Sequence, residues 1–295
     1  MVAYKNRIFL RKSLEKNNFM VLVTLTTDFG HKDYSISIIK AALLNQIPEV
    51  QIIDITHEIS PYNSSETAYV LKNAYKSFPK GTIHIVGVES EYTPENIHLA
   101  MQLEGHFFIG ADNGILSMII DDLKTTKIVE INIHKTIVSS FPVLDVFINV
   151  AAHIARKGNL EIIGKPINQI KELTNINPVI NLEGNQILGS VIYIDNYGNL
   201  ITNIKKIFFN EVGKTRNFTI SARSIKFKKI YNGYSEAIDF SLPKNKRNED
   251  GKKLALFNSA NHLELAVYKS NPKTVGGASS LFGLDYRDPV TVKFE

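Results

Sequence analysis

Asp28 and Asp33 are the residues whose type and spacing first suggest chemistry. They are two carboxylates five residues apart, placed after the strand-type run Val21-Leu22-Val23-Thr24-Leu25 and the pair Thr26-Thr27. Such a run delivers both acids at the carboxyl end of a first strand, where open α/β sheets bind ligands. Gly30, between them, lets the backbone turn tightly or approach a ligand. A pair of this kind can hold the two hydroxyls of a ribose. A structural reading of the same residues is equally available, with Asp28 ending the strand and Asp33 capping the next helix.

The elements that must position these acids follow from the pattern around them. Val50–Ile55 reads as an apolar strand leading into Asp54 and His57. Asn63 with Glu66 three residues on is an N-terminal capping signal, and it predicts a helix to about Phe78, stopped by Pro79-Lys80-Gly81. Thr82–Val88 reads as a buried strand. His98–Leu103 and Phe107–Gly110, separated by Glu104-Gly105, read as a hairpin. A short helix is expected over Asn113–Ile120, a strand over Ile128–Ile133, and a helix over Asp145–Lys157 ended by Gly158. Strands alternating with helices predict an α/β domain over residues 20–164, its mostly parallel sheet covered on both faces. Residues 165–180 read as a linker.

Over residues 181–295 the pattern changes to short strands separated by turn residues: Ile187–Ile194, Leu200–Ile204, Phe218–Ala222, Ile225–Tyr231, Ala237–Phe240, Lys253–Phe257, Leu263–Tyr268 and Pro289–Phe294. This predicts an all-β domain, a small barrel or a sandwich. Residues 1–19 are basic and weakly apolar, and they read as a dispensable extension with Met20 as the true or an alternative start.

Composition narrows the classes. The 295 residues are 44% hydrophobic and 21% charged, an ordinary globular balance. No apolar run reaches the ~20 residues needed to cross a bilayer. The absence of cysteine excludes disulfides, thiolate metal sites and thiol catalysis. With no visible signal peptide, a cytoplasmic location is the default expectation. The net charge of +5 keeps nucleic acid among possible partners. However, the clusters Lys5-Asn6-Arg7 with Arg11-Lys12, Lys226-Phe227-Lys228-Lys229 and Lys244-Asn245-Lys246-Arg247 read as solvated faces.

Five motifs in order carry a family resemblance. They are Thr24-Leu25-Thr26-Thr27-Asp28-Phe29-Gly30 with Asp33 and Tyr34; Asp54-Ile55-Thr56-His57 with Pro61; Asp112-Asn113-Gly114-Ile115-Leu116-Ser117; Asp195-Asn196-Tyr197-Gly198-Asn199 with Leu200-Ile201-Thr202-Asn203; and Asn258-Ser259 with Leu263-Glu264-Leu265-Ala266. Together they resemble the S-adenosyl-L-methionine hydroxide adenosyltransferases, relatives of fluorinase and chlorinase, from about Met20 to Glu295. The resemblance implies an α/β domain followed by a β-barrel. It also implies a homotrimer with S-adenosylmethionine bound between one subunit's first domain and a neighbour's second, and no separate cofactor or metal. In that family a nucleophile attacks the ribose 5′ carbon and methionine leaves; water or hydroxide gives adenosine.

Carried over residue by residue, the resemblance makes Asp28 the acid that holds the ribose hydroxyls and Asp33 its companion at the methionine end. Tyr62 becomes an aromatic near the ribose. Phe29, Asn113 and Phe141 are further ligand-binding positions. Asp195 and Asn199 become the pair that reads the amino-acid end and the adenine, and Ser259 the contact to the methionine carboxylate. A zwitterionic ligand needs an acid for its ammonium and hydroxyl or amide donors for its carboxylate, and this set supplies both. Asn-Tyr-Gly-Asn is also ordinary hairpin-turn chemistry.

The catalytic positions depart from the family. Its hydrolases carry Asp-Pro-Gly-Val-Gly and then an arginine; here the segment is Glu89-Ser90-Glu91-Tyr92-Thr93, with Asn96 near the arginine position. Their Phe-His-Gly-Arg-Asp is here Phe141-Pro142-Val143-Leu144-Asp145. The water-orienting set is thereby reduced to Glu89, since proline offers no side-chain donor or acceptor. Val143 stands where halogenases have serine or glycine, which argues against a halide site. Three functions are weighed on this basis: a hydrolase, a catalytically silent binder of S-adenosylmethionine or adenosine, and a nucleic-acid-binding protein. An oxygen-rich metal site from Asp28, Asp33, Asp54 and His57 is conceivable, but the spacing does not demand it. His84, on an apolar strand, reads as a hydrogen-bonded core histidine, and no Gly-x-Ser-x-Gly elbow is present.

Overall fold

The structure is a computed structural model, and it describes residues 20–120, 127–133, 139–173, 177–247, 249 and 251–295. The proposed extension 1–19 and its basic cluster lie outside the described residues, as do parts of the linker. The chain forms two compact units that divide between Leu173 and Thr174.

In the first unit, β1 (Leu22–Thr27) leads through α1 (Ser35–Gln46) to β2 (Gln51–Thr56), and α2 (Ser64–Ala74) leads to β3 (Ile83–Gly87). The hairpin is β4 (His98–Leu103) with β5 (His106–Ala111), followed by α3 (Ile115–Ile119) and β6 (Lys127–Ile131). The unit ends with α4 (Ile148–Ala155), α5 (Leu160–Ile163) and β7 (Gly164–Pro166). The seven strands are ordered β2-β1-β3-β5-β4-β6-β7. The half containing β2, β1, β3 and β5 is parallel, whereas β4, β6 and β7 pair antiparallel, so the sheet is mixed.

The two faces are filled by two apolar clusters. Ile36, Ile39 and Leu43 of α1 and Val150, Ala151 and Ile154 of α4 pack with Val23 and Leu25 of β1. Leu71 of α2 and Ile115, Leu116 and Ile119 of α3 pack on the other cluster with Val86, Leu99 and Phe108. A strand buried on both faces must be apolar or internally satisfied, and Thr24 and His84 show the second case. Thr24 Oγ1 lies 2.7 Å from His84 Nδ1, and His84 Nε2 lies 3.3 Å from His106 Nδ1, all buried. His84 is therefore the satisfied core histidine its position suggests.

This buried pair gives a pH prediction. Burial first, then the neighbouring His106, pushes His84 down from its usual value to about 3. Burial also lowers His106. Above the unfolded value both states are neutral and the pair adds no pH dependence. As pH falls below ~6.5 the unfolded chain takes up protons that the folded chain refuses, so stability is lost toward pH 3. At pH 4.5 His84 alone should cost about 2–3 kcal/mol, from ~1.36 kcal/mol per unit. Urea midpoints measured from pH 7 to 4.5 should fall for wild type and fall by one proton less for His84→Gln. Equal slopes would remove His84 as the cause.

Local signals acted largely as expected. Asn63 caps α2, its side chain accepting from the Glu66 N–H at 3.1 Å, while Glu66 accepts from the Ser60 N–H. Glu104 and Gly105, both at positive φ, make the hairpin turn. The expected helix over Asp145–Lys157 opens earlier, with a π-type turn over Val143–Phe147. Pro142 precedes it at φ −58°, a value that its ring presets for a helix start.

The linker is shorter than read. Lys165 and Pro166 pair with β6, and Ile167 and Ile170 pack on the first unit's core. At its other end, Val179 and Ile180 pair with the second unit's sheet.

The second unit contains β8 (Val179–Ile180), β9 (Gln186–Ile194), β10 (Leu200–Lys205), β11 (Phe218–Ala222), β12 (Ile225–Phe227), β13 (Ile230–Tyr231), β14 (Lys253–Phe257), β15 (His262–Val267) and β16 (Pro289–Phe294). These form one nine-stranded, nearly closed barrel-shaped sheet. Two helices absent from the sequence reading are present, α6 (Lys206–Gly213) and α7 (Ala278–Phe282). The expected strand Ala237–Phe240 is instead the end of a 3-10 turn over Tyr234–Ala237 and a bend, with Phe240 half exposed. No helix among the described residues is long and apolar enough to cross a membrane.

Candidate active site

The parallel half of the first sheet aligns three strand ends. Thr26 pairs with Thr56, and Thr27 with Gly87, so the loops after β1, β2 and β3 emerge side by side. The chain runs outward from β1 to β2, then returns across to β3. That reversal is the switch point where open sheets leave a ligand crevice.

Asp28 stands on the first of these loops, half-buried. Its Oδ2 accepts the Tyr62 N–H at 3.1 Å, which ties the loop after β1 to the segment before α2. Among the described residues Asp28 takes no other hydrogen bond, so most of its acceptor capacity is open to a ligand. Tyr62 is exposed and sits at φ +60°, and Glu89 lies at φ +45°. Left-handed backbone at non-glycine residues is costly and clusters at functional loops. Phe29 meets Phe141 edge to face, with ring centroids 5.4 Å apart. A Cβ at Gly87 would stand 3.0 Å from Thr27 Cγ2 and Val143 Cγ2 and 3.4 Å from the Phe29 ring, so a larger residue there would press these neighbours outward by a few tenths of an ångström. Val143 is wholly buried in that core and offers nothing to a halide or any other ligand.

Glu89 projects into solvent from the loop after β3. Its carbonyl accepts from Asn96 Nδ2 at 3.0 Å and from Asn113 Nδ2 at 3.5 Å; Asn96 Nδ2 also donates to the Glu91 carbonyl, and Asn113 Nδ2 to that of Val88. Both asparagines therefore shape the Glu89 loop rather than meet a ligand with their amide nitrogens. Their side chains are buried, which suits a clamp. Among the described residues Asp33 shares no hydrogen bond with this group. It is fully exposed, its Oδ1 accepts the Ser35 N–H at 2.9 Å, and Ser35 holds its carboxyl below the usual range. Asp33 precedes Tyr34, the N-cap position of α1, which makes no side-chain cap bond, and the Asp33 carboxylate accepts the N–H of the first helical residue, Ser35.

A further set joins Asp54 and His57, weighed in the sequence only as metal ligands, to Thr27 and Lys40, whose part in it no spacing suggests. Thr27 Oγ1 lies 2.8 Å from His57 Nδ1, His57 Nε2 lies 3.1 Å from Asp54 Oδ1, and Lys40 Nζ lies 2.5 Å from Asp54 Oδ2. Burial would raise Asp54, but Lys40 and His57 outweigh it and hold the acid low. Both Asp54 oxygens are thus engaged by cations or N–H groups, not arranged for a metal. Among the described residues no three or more histidine and acid side chains cluster as metal ligands would.

In the second unit, Asp195 folds its own hairpin. Its Oδ1 accepts from the Tyr197 and Asn199 N–H groups, at 2.9 and 2.8 Å, and its Oδ2 from Asn199 Nδ2 at 3.0 Å. Ser259 is exposed on the turn between β14 and β15, where Asn258 accepts from the Ala260 and His262 N–H groups. Glu264, buried on β15, accepts from the Tyr234 hydroxyl at 2.5 Å. Burial raises its pKa, Tyr234 opposes this and Asp195 adds to it. Asp195, Glu264 and Tyr234 are therefore electrostatic neighbours, a grouping no sequence spacing suggests.

The two basic clusters among the described residues are ordinary surface. Lys226, Lys228 and Lys229 are exposed, with Lys229 paired to Glu236 at 3.6 Å and placed over the Tyr231 ring. Arg247 is turned back onto the Phe240 and Leu242 carbonyls.

An α/β unit with an acid at its strand switch point, followed by a barrel-shaped β unit, defines a two-domain class of ligand-binding protein. The chain belongs to the SAM hydroxide adenosyltransferase family, whose N-terminal domain model matches residues 23–164 and whose C-terminal domain model matches 189–291. It is 28% identical to the (R)-S-adenosyl-L-methionine hydrolase of Methanocaldococcus jannaschii, over 94% of this chain and 97% of that one. It is 23% identical to a fluorinase from an Actinoplanes species, over 65% of this chain and 74% of the relative. Among solved structures, an uncharacterized conserved protein from Thermotoga maritima shares the fold with a TM-score of 0.77 and 25% identity, over 92% of this chain and all of that one.

Proposed function

We propose that this protein binds S-adenosyl-L-methionine and hydrolyses it to adenosine and L-methionine. The observation that carries the reading is the half-buried Asp28 carboxylate at the strand switch point, one lone pair used and the rest open, in a chain whose two domains both match the family. A carboxylate accepting two ribose hydroxyls makes charge-assisted hydrogen bonds, which exceed neutral ones. Water attacks the 5′ carbon as the carbon–sulfur bond breaks. The sulfur keeps the electron pair and leaves as a neutral thioether, so no acid, metal or separate cofactor is needed. The proton of the attacking water passes to Glu89 or to solvent. A homotrimer and a cytoplasmic location belong to the same proposal and rest on the resemblance and on the sequence reading.

A silent binding protein is the second reading, and specific contacts favour it. Pro142 opens the π-type turn, and the Asn96 amide is committed to loop carbonyls. Two of the three positions that orient water in the family therefore have nothing to donate to it. Incubation with S-adenosylmethionine, with adenosine followed by chromatography, separates the readings for wild type, Glu89→Gln and Pro142→His. Slow adenosine formation, at least tenfold slower in Glu89→Gln and faster in Pro142→His, is the expected result. Bound ligand without adenosine above buffer leaves the binding reading standing alone.

A further inference from the structure

We propose that Thr27, His57, Asp54 and Lys40 form a line of polar contacts, with Asp54 the common acceptor facing both His57 and Lys40, whose task is to fix the loop carrying Asp28 and Phe29 for its ligand. The inference rests on the ligand reading above for its purpose, but not for its geometry. His57 is almost wholly buried at the end of β2 and touches the β1 loop twice. Its carbonyl accepts the Gly30 N–H at 2.7 Å, and its Nδ1 meets Thr27 Oγ1 at 2.8 Å. Gly30 and Thr27 bracket Asp28 and Phe29, so one side chain and its own carbonyl hold both ends of the ligand loop.

The donor at each contact follows from chemistry. Asp54, as a carboxylate, can only accept, so the proton of the neutral imidazole belongs on Nε2. The 3.1 Å contact to Asp54 lacks hydrogen-bond geometry and acts on the Nε2 proton electrostatically. Nδ1 is then bare, and Thr27 must donate its hydroxyl proton to it. That leaves the Thr27 oxygen to accept the Phe29 N–H, 3.4 Å away. Lys40 on α1 secures the outer end through Asp54. The groups facing His57 are Thr27, Asp54 with Lys40 behind it, and the His31 ring edge-on at 5.1 Å, itself 3.9 Å from Glu58. A register slip between Leu25 and Thr26 against β2, where Asp54 pairs with Leu25 and Thr56 with Thr26, brings Asp54 and His57 into this line.

These are positioning residues, since none is placed against the reacting atoms. Loss of the Thr27 hydroxyl strands Nδ1 and releases the Phe29 amide. Replacement of Asp54 by asparagine removes the charge that fixes the tautomer while changing only an exposed residue.

The test has two arms. In the first, nitrogen NMR of the His57 ring should show a protonated Nε2 and a bare Nδ1 in wild type, and mixed tautomers in Asp54→Asn. Amide exchange at Phe29 should be at least tenfold faster in Thr27→Val and unchanged in Thr27→Ser. In the second, adenosine should bind about tenfold more weakly to Thr27→Val and within twofold of wild type to Thr27→Ser. If wild type binds no adenosine, the ligand reading fails while the first arm still judges the line of contacts. A His57 ring protonated on Nδ1 in wild type overturns the proposal. So does a Thr27→Val protein with wild-type Phe29 exchange and adenosine affinity.

Discussion

Replacing Asp28 by alanine is expected to weaken binding of both adenosine and S-adenosylmethionine by about 10- to 150-fold, with little change in thermal stability. The loss follows from what the carboxylate does in the fold. It accepts one backbone N–H, that of Tyr62, and holds no ion pair among the described residues. Tyr62 is exposed, so water can replace the lost acceptor and folding loses little. A ligand whose ribose hydroxyls donate to the same carboxylate loses hydrogen bonds to a charged group, worth about 1.5–3 kcal/mol. At ~1.4 kcal/mol per tenfold, that is a factor of roughly 10 to 150. Asp28→Asn keeps one acceptor oxygen and should fall between. Calorimetry with adenosine tests ribose recognition without the methionine end. Equal affinity in wild type and Asp28→Ala would take Asp28 out of the site and with it the observation on which the proposed function rests.

The features that were legible in the sequence are those fixed by short-range rules. An apolar run ending in Thr27-Asp28 locates the first strand end, because parallel strands buried on both faces must be apolar. Asn63 with Glu66 marks the start of α2 because orphan helix N–H groups need nearby acceptors. Glu104-Gly105 marks the hairpin turn.

What was not legible depends on contacts distant in sequence. Asp54 and His57 were weighed as metal ligands beside Asp28 and Asp33. It is Lys40, from a helix between the two strands, that claims Asp54, and Thr27, thirty residues back, that claims His57. Asn96 falls near a family arginine by alignment, but its amide bridges the Glu89 and Glu91 carbonyls, a role set by the local loop path. α6 was missed because it has only eight residues, and of its apolar side chains Ile207, Phe208, Phe209 and Val212 only Phe209 and Val212 are buried. Short amphipathic segments between strands lack the length over which a 3.6-residue period can be told from alternation.

Replacing Gly198 by alanine is expected to destabilise the second unit by about 3 kcal/mol. Two independent effects combine. Gly198 lies at φ +74° in the Asp195–Asn199 hairpin, a conformation that costs an L-residue ~1–2 kcal/mol. A Cβ there would also stand 2.8 Å from Gly277 Cα, a backbone atom that cannot swing aside as a flexible side chain would. Gly277 meets the same restriction in return, 2.7 Å from Gly198 Cα and 2.8 Å from the Tyr197 carbonyl oxygen. The two segments are also joined by the Ser279 N–H donating to the Gly198 carbonyl at 2.9 Å, so separating them breaks a hydrogen bond at the start of α7. Overpacking of this kind typically adds 1–3 kcal/mol. Gly184→Ala is the control: its φ is +66° with no atom within 4 Å of the added carbon, so it isolates the backbone term. Urea unfolding followed by far-ultraviolet circular dichroism should therefore show a loss near 1 kcal/mol for Gly184→Ala and roughly three times that for Gly198→Ala. Equal losses would mean that the Gly277 segment gives way freely, and that the hairpin carrying Asp195 and Asn199 is held by its internal Asp195 hydrogen bonds rather than by its seat against α7.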